Sequence, residues 1–96
     1  MTELEERTVA EQIKKLVPHY SMIEFRAAVS LSSYTIEFYV TLNGRKMQCY
    51  EMIEEGFFSE EEFNDLSKTI AHFFREQPDF QEGKRNIYTL TINNPW

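Results

Sequence analysis

One cysteine, three glycines and three prolines are all that 96 residues supply of these types, so covalent or strongly punctuated scaffolds are out of reach. Cys49 alone can form neither an intrachain disulfide nor a thiolate metal site, and it fits a reducing compartment best. Gly44, Gly56 and Gly83 lie too far apart for a phosphate-cradling loop. Basic residues are also few: 10 Lys and Arg stand against 16 Asp and Glu, a formal net charge of -6. A protein that grips a phosphate backbone needs the opposite balance to displace condensed counterions, so nucleic acid is not expected as a direct partner. No stretch approaches the ~20 apolar residues of a membrane helix. The opening Met1-Thr2-Glu3-Leu4-Glu5-Glu6 has neither a basic n-region nor an apolar run, and the expectation is a cytoplasmic chain with no membrane partner.

What the chain does contain is patterned. An apolar content of 42% in so short a chain supports one core, and residues 1–96 are expected to form a single compact domain. Val9, Ala10, Ile13, Leu16 and Val17 recur at helical spacing and stop before Pro18, which predicts a first helix over 3–17. Its start is ambiguous, because Thr2 with Glu5 and Thr8 with Glu11 both read as capping boxes. From Met22 the period becomes two. Ile23, Phe25, Ala27, Val29 and Leu31 alternate with polar or small residues, and Ile36, Phe38, Val40 and Leu42 do the same after Ser32-Ser33. Asn43-Gly44 is a strong type I′ hairpin signal, since both central residues of that turn need positive φ. A third strand over 45–53 should follow.

Register tests these turns against each other, because a slip of one residue would send every side chain to the wrong face. A two-residue turn at Asn43-Gly44 pairs Val40 with Met47 and Phe38 with Cys49. One at Ser32-Ser33 pairs Val29 with Ile36 and Phe25 with Val40. All of these fall on one apolar face. The opposite face then carries Glu24, Arg26, Glu37, Tyr39, Thr41, Lys46, Gln48 and Tyr50.

Ser59 and Glu62 form a capping box, with Phe58 spaced to staple onto Phe63, so a helix begins at Glu60. Phe63, Leu66, Ile70, Phe73 and Phe74 form its buried stripe, and Gln77-Pro78 ends it. After a polar loop, Tyr88, Leu90 and Ile92 alternate with Ile87, Thr89 and Thr91 in a last strand. The order is α-β-β-β-α-β, an α+β fold with a mainly antiparallel sheet and both helices packed on one face. The pattern leaves open whether the last strand joins beside the first or the third.

The components of catalysis are scarce. His19 and His72 are isolated and read as solvated side chains rather than metal ligands or acid–base groups. Cys49 on the core face reads as a small hydrophobe. No cofactor, metal or catalytic residue is expected. Tyr39 and Tyr50, by contrast, face outward on the polar sheet face, where tyrosine suits an interface but is also an ordinary exposed strand residue. The run from Glu51 to Asp65 holds Glu51, Glu54, Glu55, Glu60, Glu61, Glu62 and Asp65 with no Lys or Arg between them. Helix-dipole and capping rules account for Glu60, Glu61 and Glu62. Glu51, Glu54 and Glu55 precede the helix and add repulsion, as a surface kept for a basic partner would. The order α-β-β-β-α is shared with the double-stranded-RNA-binding domain, but Glu60, Glu61 and Glu62 occupy the place where that family carries phosphate-binding lysines.

With these elements placed, the chain resembles the YezG-like immunity proteins of bacterial polymorphic toxin systems. The likeness lies in the first helix ending near Pro18, the strand Tyr34-Thr35-Ile36-Glu37-Phe38-Tyr39, the acidic run into Phe63-Asn64-Asp65-Leu66, and the strand Asn86-Ile87-Tyr88-Thr89-Leu90-Thr91-Ile92. The family is expected to continue into another aromatic strand where this sequence stops at Trp96. The resemblance implies a non-enzymatic inhibitor that binds a cognate toxin domain, often a nuclease, in the producing cell's cytoplasm. A basic nuclease and an acidic inhibitor are physically matched, with the carboxylates supplying the field and Tyr39, Tyr50 or Trp96 the anchors. An acidic adaptor for a different basic protein has the same charge requirement. A small enzyme using Glu24 and Glu37 on the open sheet face is a third reading. Exposed strand edges could also support a homodimer or β-augmentation by a partner.

Overall fold

The computed structural model describes residues 1–93. The elements run α1 (Glu3–Leu16), β1 (Met22–Val29), β2 (Tyr34–Leu42), β3 (Arg45–Gln48), α2 (Cys49–Glu54), α3 (Glu60–Arg75) and β4 (Asn86–Asn93). Four strands form one antiparallel sheet in the order β3-β2-β1-β4, so the fold is α+β, and the last strand lies beside the first.

Of the two capping boxes that compete for the start of α1, Thr2 with Glu5 is the one formed. Glu5 N donates to Thr2 Oγ1 at 3.1 Å and Thr2 N to Glu5 Oε1 at 2.7 Å. Val9, Ile13 and Val17 turn inward while Leu4, off the stripe, is exposed. At α3 the expected box also forms, with Ser59 Oγ accepting from Glu62 N at 3.0 Å. Phe58 stacks on Phe63 with ring centroids 6.3 Å apart, and Phe38 of the sheet reaches both rings. The inward sides of α1 and α3 meet Ile23, Phe25, Ala27, Ile36, Phe38 and Val40 in one core. Phe74 closes its far end, stacked on Tyr88 of β4 at 3.8 Å.

Several expectations are corrected. The β1–β2 connection is not a two-residue turn: Val29 pairs with Tyr34, Phe25 with Phe38 and Ile23 with Val40. The register therefore differs from the expected one by two residues, which moves partners along the strand and leaves every side chain on its predicted face. Leu31 falls in the connecting loop and is exposed. That loop is held by Ser30 and Ser33, whose hydroxyls lie 2.9 Å apart, and by Arg75 of α3, whose Nε donates to Ser30 O at 2.9 Å.

The third strand stops at Gln48, four residues long rather than running on to residue 53. Asn43 and Gly44 have φ of 49° and 81°, as the hairpin requires, and Val40 pairs with Met47. Beyond Gln48 the chain turns into α2, which buries Cys49 and Met52. A Schellman motif stops this helix at Gly56, φ 83°: Phe57 N donates to Met52 O at 3.0 Å and Gly56 N to Ile53 O at 3.1 Å. The order is thus α-β-β-β-α-α-β, one helix more than expected. Tyr50 consequently stands on α2 rather than on the open sheet face, and Cys49 is not a strand partner of Phe38.

Candidate functional site

Because β3 ends early, β2 is flanked unevenly. Its whole length pairs with β1, but on the other side only Tyr39–Leu42 meet β3. Where β3 is missing, α2 and the first turns of α3 form the far wall of a groove of about 230 Å³. Ile36, Glu37 and Tyr39 line it from β2, Tyr50 and Ile53 from α2, and Glu60 from α3. Tyr39 is 40% exposed and Tyr50 74%. Both tyrosines singled out in the sequence therefore belong to one surface, although Tyr50 reaches it from a helix. Cys49 forms part of the floor, its Sγ donating to Phe38 O at 3.3 Å. Burial pushes its thiol from an ordinary 9.0 up to about 11.

The acidic run divides. Glu55 forms a two-pronged ion pair with Arg45, at 2.9 Å to Nη1 and 2.6 Å to Nη2, and Glu51 lies 3.9 Å from the same guanidinium. These two carboxylates are compensated by a cation outside the run, so the reading of an uncompensated cluster is corrected for them. Glu62 is engaged in its capping box. With Asp65 it lines a separate depression of about 220 Å³ between α1 and α3, which Lys15 also lines. Glu54, Glu60 and Glu61 are exposed, and among the described residues no basic side chain stands within ion-pair distance of them. Trp96 lies outside the described residues.

The open face of the sheet is laced with its own pairs. Lys46 Nζ lies 3.0 Å from Glu24 and 4.9 Å over the Tyr39 ring, and Arg26 is 3.8 Å from Glu37. Glu24 and Glu37 thus face cations across a shallow depression of about 330 Å³. His72 is exposed, with Nε2 3.3 Å from Glu76 one helical turn on. Among the described residues no helix is long and apolar enough to cross a membrane, and no three His, Cys, Asp or Glu side chains are placed to hold a metal.

Sequence reasoning missed two features. Asn86 organises the approach to β4: its amide donates to Val29 O at 3.1 Å, Gln81 O at 2.9 Å and Lys84 O at 3.1 Å. Its Oδ1 accepts from Gln81 N at 2.9 Å. An asparagine heading a strand is an ordinary turn signal, and nothing in the local pattern announces its reach to β1. Glu5 is fully buried, with Oε2 lacking a hydrogen-bond partner among the described residues. Burial first, then the charges of Asp79 and Glu5, pushes the nearby Tyr88 hydroxyl up to about 12. The sole hint for Glu5 was its capping spacing from Thr2.

Compared with family models, curated proteins and solved structures, the chain finds no match.

Proposed function

We propose that this chain is a non-enzymatic binding protein that captures a basic protein domain at the end of the molecule formed by α2 and the start of α3. The observation that carries the reading is the convergence of Tyr39, Tyr50 and Glu60 on one groove, with Glu54 and Glu61, close to it in the chain, exposed and without an ion-pair partner among the described residues. Exposed tyrosines supply rigid contact area with a polar tip, and unpaired carboxylates supply a field that speeds encounter with an oppositely charged surface. The chain-wide balance of 16 acidic to 10 basic residues acts in the same direction.

The resemblance to YezG-like immunity proteins supports a more specific proposal: the partner is a cognate toxin domain, suspected to be a nuclease, neutralised in the cytoplasm of the producing cell. A nuclease must be basic around its substrate groove, and an acidic inhibitor can occupy that same groove. The test is a pull-down of the tagged chain from its host at low and then moderate salt, followed by co-expression with the basic protein retained. Suppression of that protein's toxicity supports the immunity reading. A retained basic protein that is not toxic, or toxicity that persists on co-expression, refutes it and leaves an adaptor for another basic protein.

A further inference from the structure

Among the described residues, the uneven flanking of β2 leaves a row of main-chain groups without partners. In an antiparallel ladder alternate residues direct both N–H and C=O to the same neighbour. The tight turn at Asn43-Gly44 makes Leu42 and Arg45 a hydrogen-bonded pair, so even-numbered residues of β2 point away from β1. Two contacts agree with that assignment. Thr41 O accepts from Ser21 N on the β1 side at 2.8 Å, and Phe38 O accepts from Cys49 Sγ on the other. It follows that the N–H and C=O of Tyr34 and Ile36, and the N–H of Phe38, face the side that β3 fails to cover. Backbone polar groups in such a row form a template for another strand.

We propose that an extended segment of a partner protein adds to the sheet here as a fifth strand, antiparallel to β2 opposite Tyr34 to Glu37. Four main-chain hydrogen bonds, two with Tyr34 and two with Ile36, would hold it. Alternation then dictates its side chains. Residues opposite Tyr34 and Ile36 point toward the helices, beside Ile53 and Phe63, and are apolar. The residue opposite Glu37 lies on the open face in a non-hydrogen-bonded pair, where side chains approach most closely. Lysine or arginine belongs there, because the charged side chains lining the groove among the described residues, Glu37 and Glu60, are both acidic, and Glu37 meets Arg26 on its β1 side only at 3.8 Å. The sheet already uses this chemistry internally, in the cross-strand pairs Lys46–Glu24 and Arg26–Glu37. The inference rests on backbone geometry and holds whether or not the partner is a toxin.

The experiment is an array of heptapeptides with strand-like alternation, varied at the positions opposite Tyr34, Ile36 and Glu37, and probed with the whole chain. The tightest peptides are then titrated into isotope-labelled protein. Expected are hits with lysine or arginine opposite Glu37, shifts at the amides of Tyr34, Ile36 and Phe38, and slowed exchange of the Tyr34 and Ile36 amides. Methylating the peptide nitrogen opposite Ile36 should abolish binding. Reversing the groove charge with Glu37→Lys and Glu60→Lys should weaken basic peptides about tenfold and move the array preference to acidic ones. The proposal is overturned if no peptide binds, if shifts fall elsewhere, or if the methylated peptide binds as well. It is also overturned if the same amides become protected as the chain alone is concentrated, since a second copy is then the occupant.

Discussion

Arg45, the first residue of β3, clamps Glu55 just past the end of α2, with both guanidinium arms engaged at 2.9 and 2.6 Å. The pair spans the outside of the chain reversal that truncates the third strand, and it removes one carboxylate from the acidic surface. Arg45→Gln should cost about 0.5–1 kcal/mol, because both partners are substantially exposed. If the acidic end steers a basic partner, the same change should raise the association rate at low salt. Chemical denaturation and stopped-flow binding read the two effects separately.

Carboxylates already paired should matter less for steering than those left free. Neutralising Glu54, Glu60 and Glu61 to glutamine is expected to slow association about tenfold at low salt and flatten its salt dependence. Neutralising Glu51 and Glu55 instead should change the rate less and destabilise α2 more. Equal effects on the rate from both sets would contradict the assignment.

The thiol of Cys49 and the phenol of Tyr88 both lose protons more readily in the unfolded chain, where their pKa values are 9.0 and 10.0, than in the fold, where they are about 11 and about 12. The folded state therefore holds more protons across that window. The stability these two groups contribute should be fully present below pH 9 and be lost as pH rises toward 11 to 12. Urea midpoints across this range measure it, and Cys49→Ser should remove the earlier part of the decline. At pH 8 a thiol reagent should label the native protein far more slowly than the unfolded chain.

Asn86 makes four hydrogen bonds with its side chain, so Asn86→Ala should cost about 1–3 kcal/mol and loosen β4 from β1. Amide exchange at Tyr88 and Leu90 should accelerate before exchange in α3 does. Uniform acceleration across the domain would indicate that β4 is not a separate opening unit.

Ser67 is buried on α3, and its hydroxyl has no hydrogen-bond partner among the described residues. Ser67→Ala is expected to be neutral or to stabilise by up to about 1 kcal/mol, since it removes a desolvated polar group and improves helix propensity. A loss of more than that in thermal unfolding would mean that the hydroxyl has a role this packing does not reveal.

Elements whose signals are local could be read from the sequence. The stripe Phe63, Leu66, Ile70 and Phe74, the box Ser59–Glu62 and the turn Asn43-Gly44 each carry their own instruction within a few residues. The stretch from Met47 to Ile53 does not. Met47, Cys49 and Ile53 fit a period of two, while Cys49, Met52 and Ile53 fit a helix, and a run this short satisfies both. Gly56 was the available tiebreaker, because a glycine just past a short apolar run suits the left-handed residue that ends a helix. The Ser30–Ser33 loop was misjudged for a different reason: Arg75 grips it from 45 residues away at Ser30 O, which no local pattern encodes. Counting charges along the Glu51–Asp65 run failed similarly for Glu55, whose partner lies ten residues earlier. Tyr39 and Tyr50 are both exposed, as the patterning suggests, but Tyr50 lies on a helix rather than on the sheet face, and the groove that gathers the two depends on β3 stopping short.

The strand order also bears on how the molecule assembles. β1 meets β2 across a loop of four residues, whereas its other neighbour, β4, must be brought in from far along the chain: Val29 and Asn86, joined by a side-chain hydrogen bond, are 57 residues apart. Closing the longer loop costs more chain entropy, so the β1–β2–β3 meander is expected to form first and β4 to dock late. Substitutions at Leu90 or Ile92 should then speed unfolding while leaving the folding rate nearly unchanged. Until β4 arrives, β1 and β2 each present an unpaired border. The chain's own last strand closes one of them, and the other persists into the finished protein.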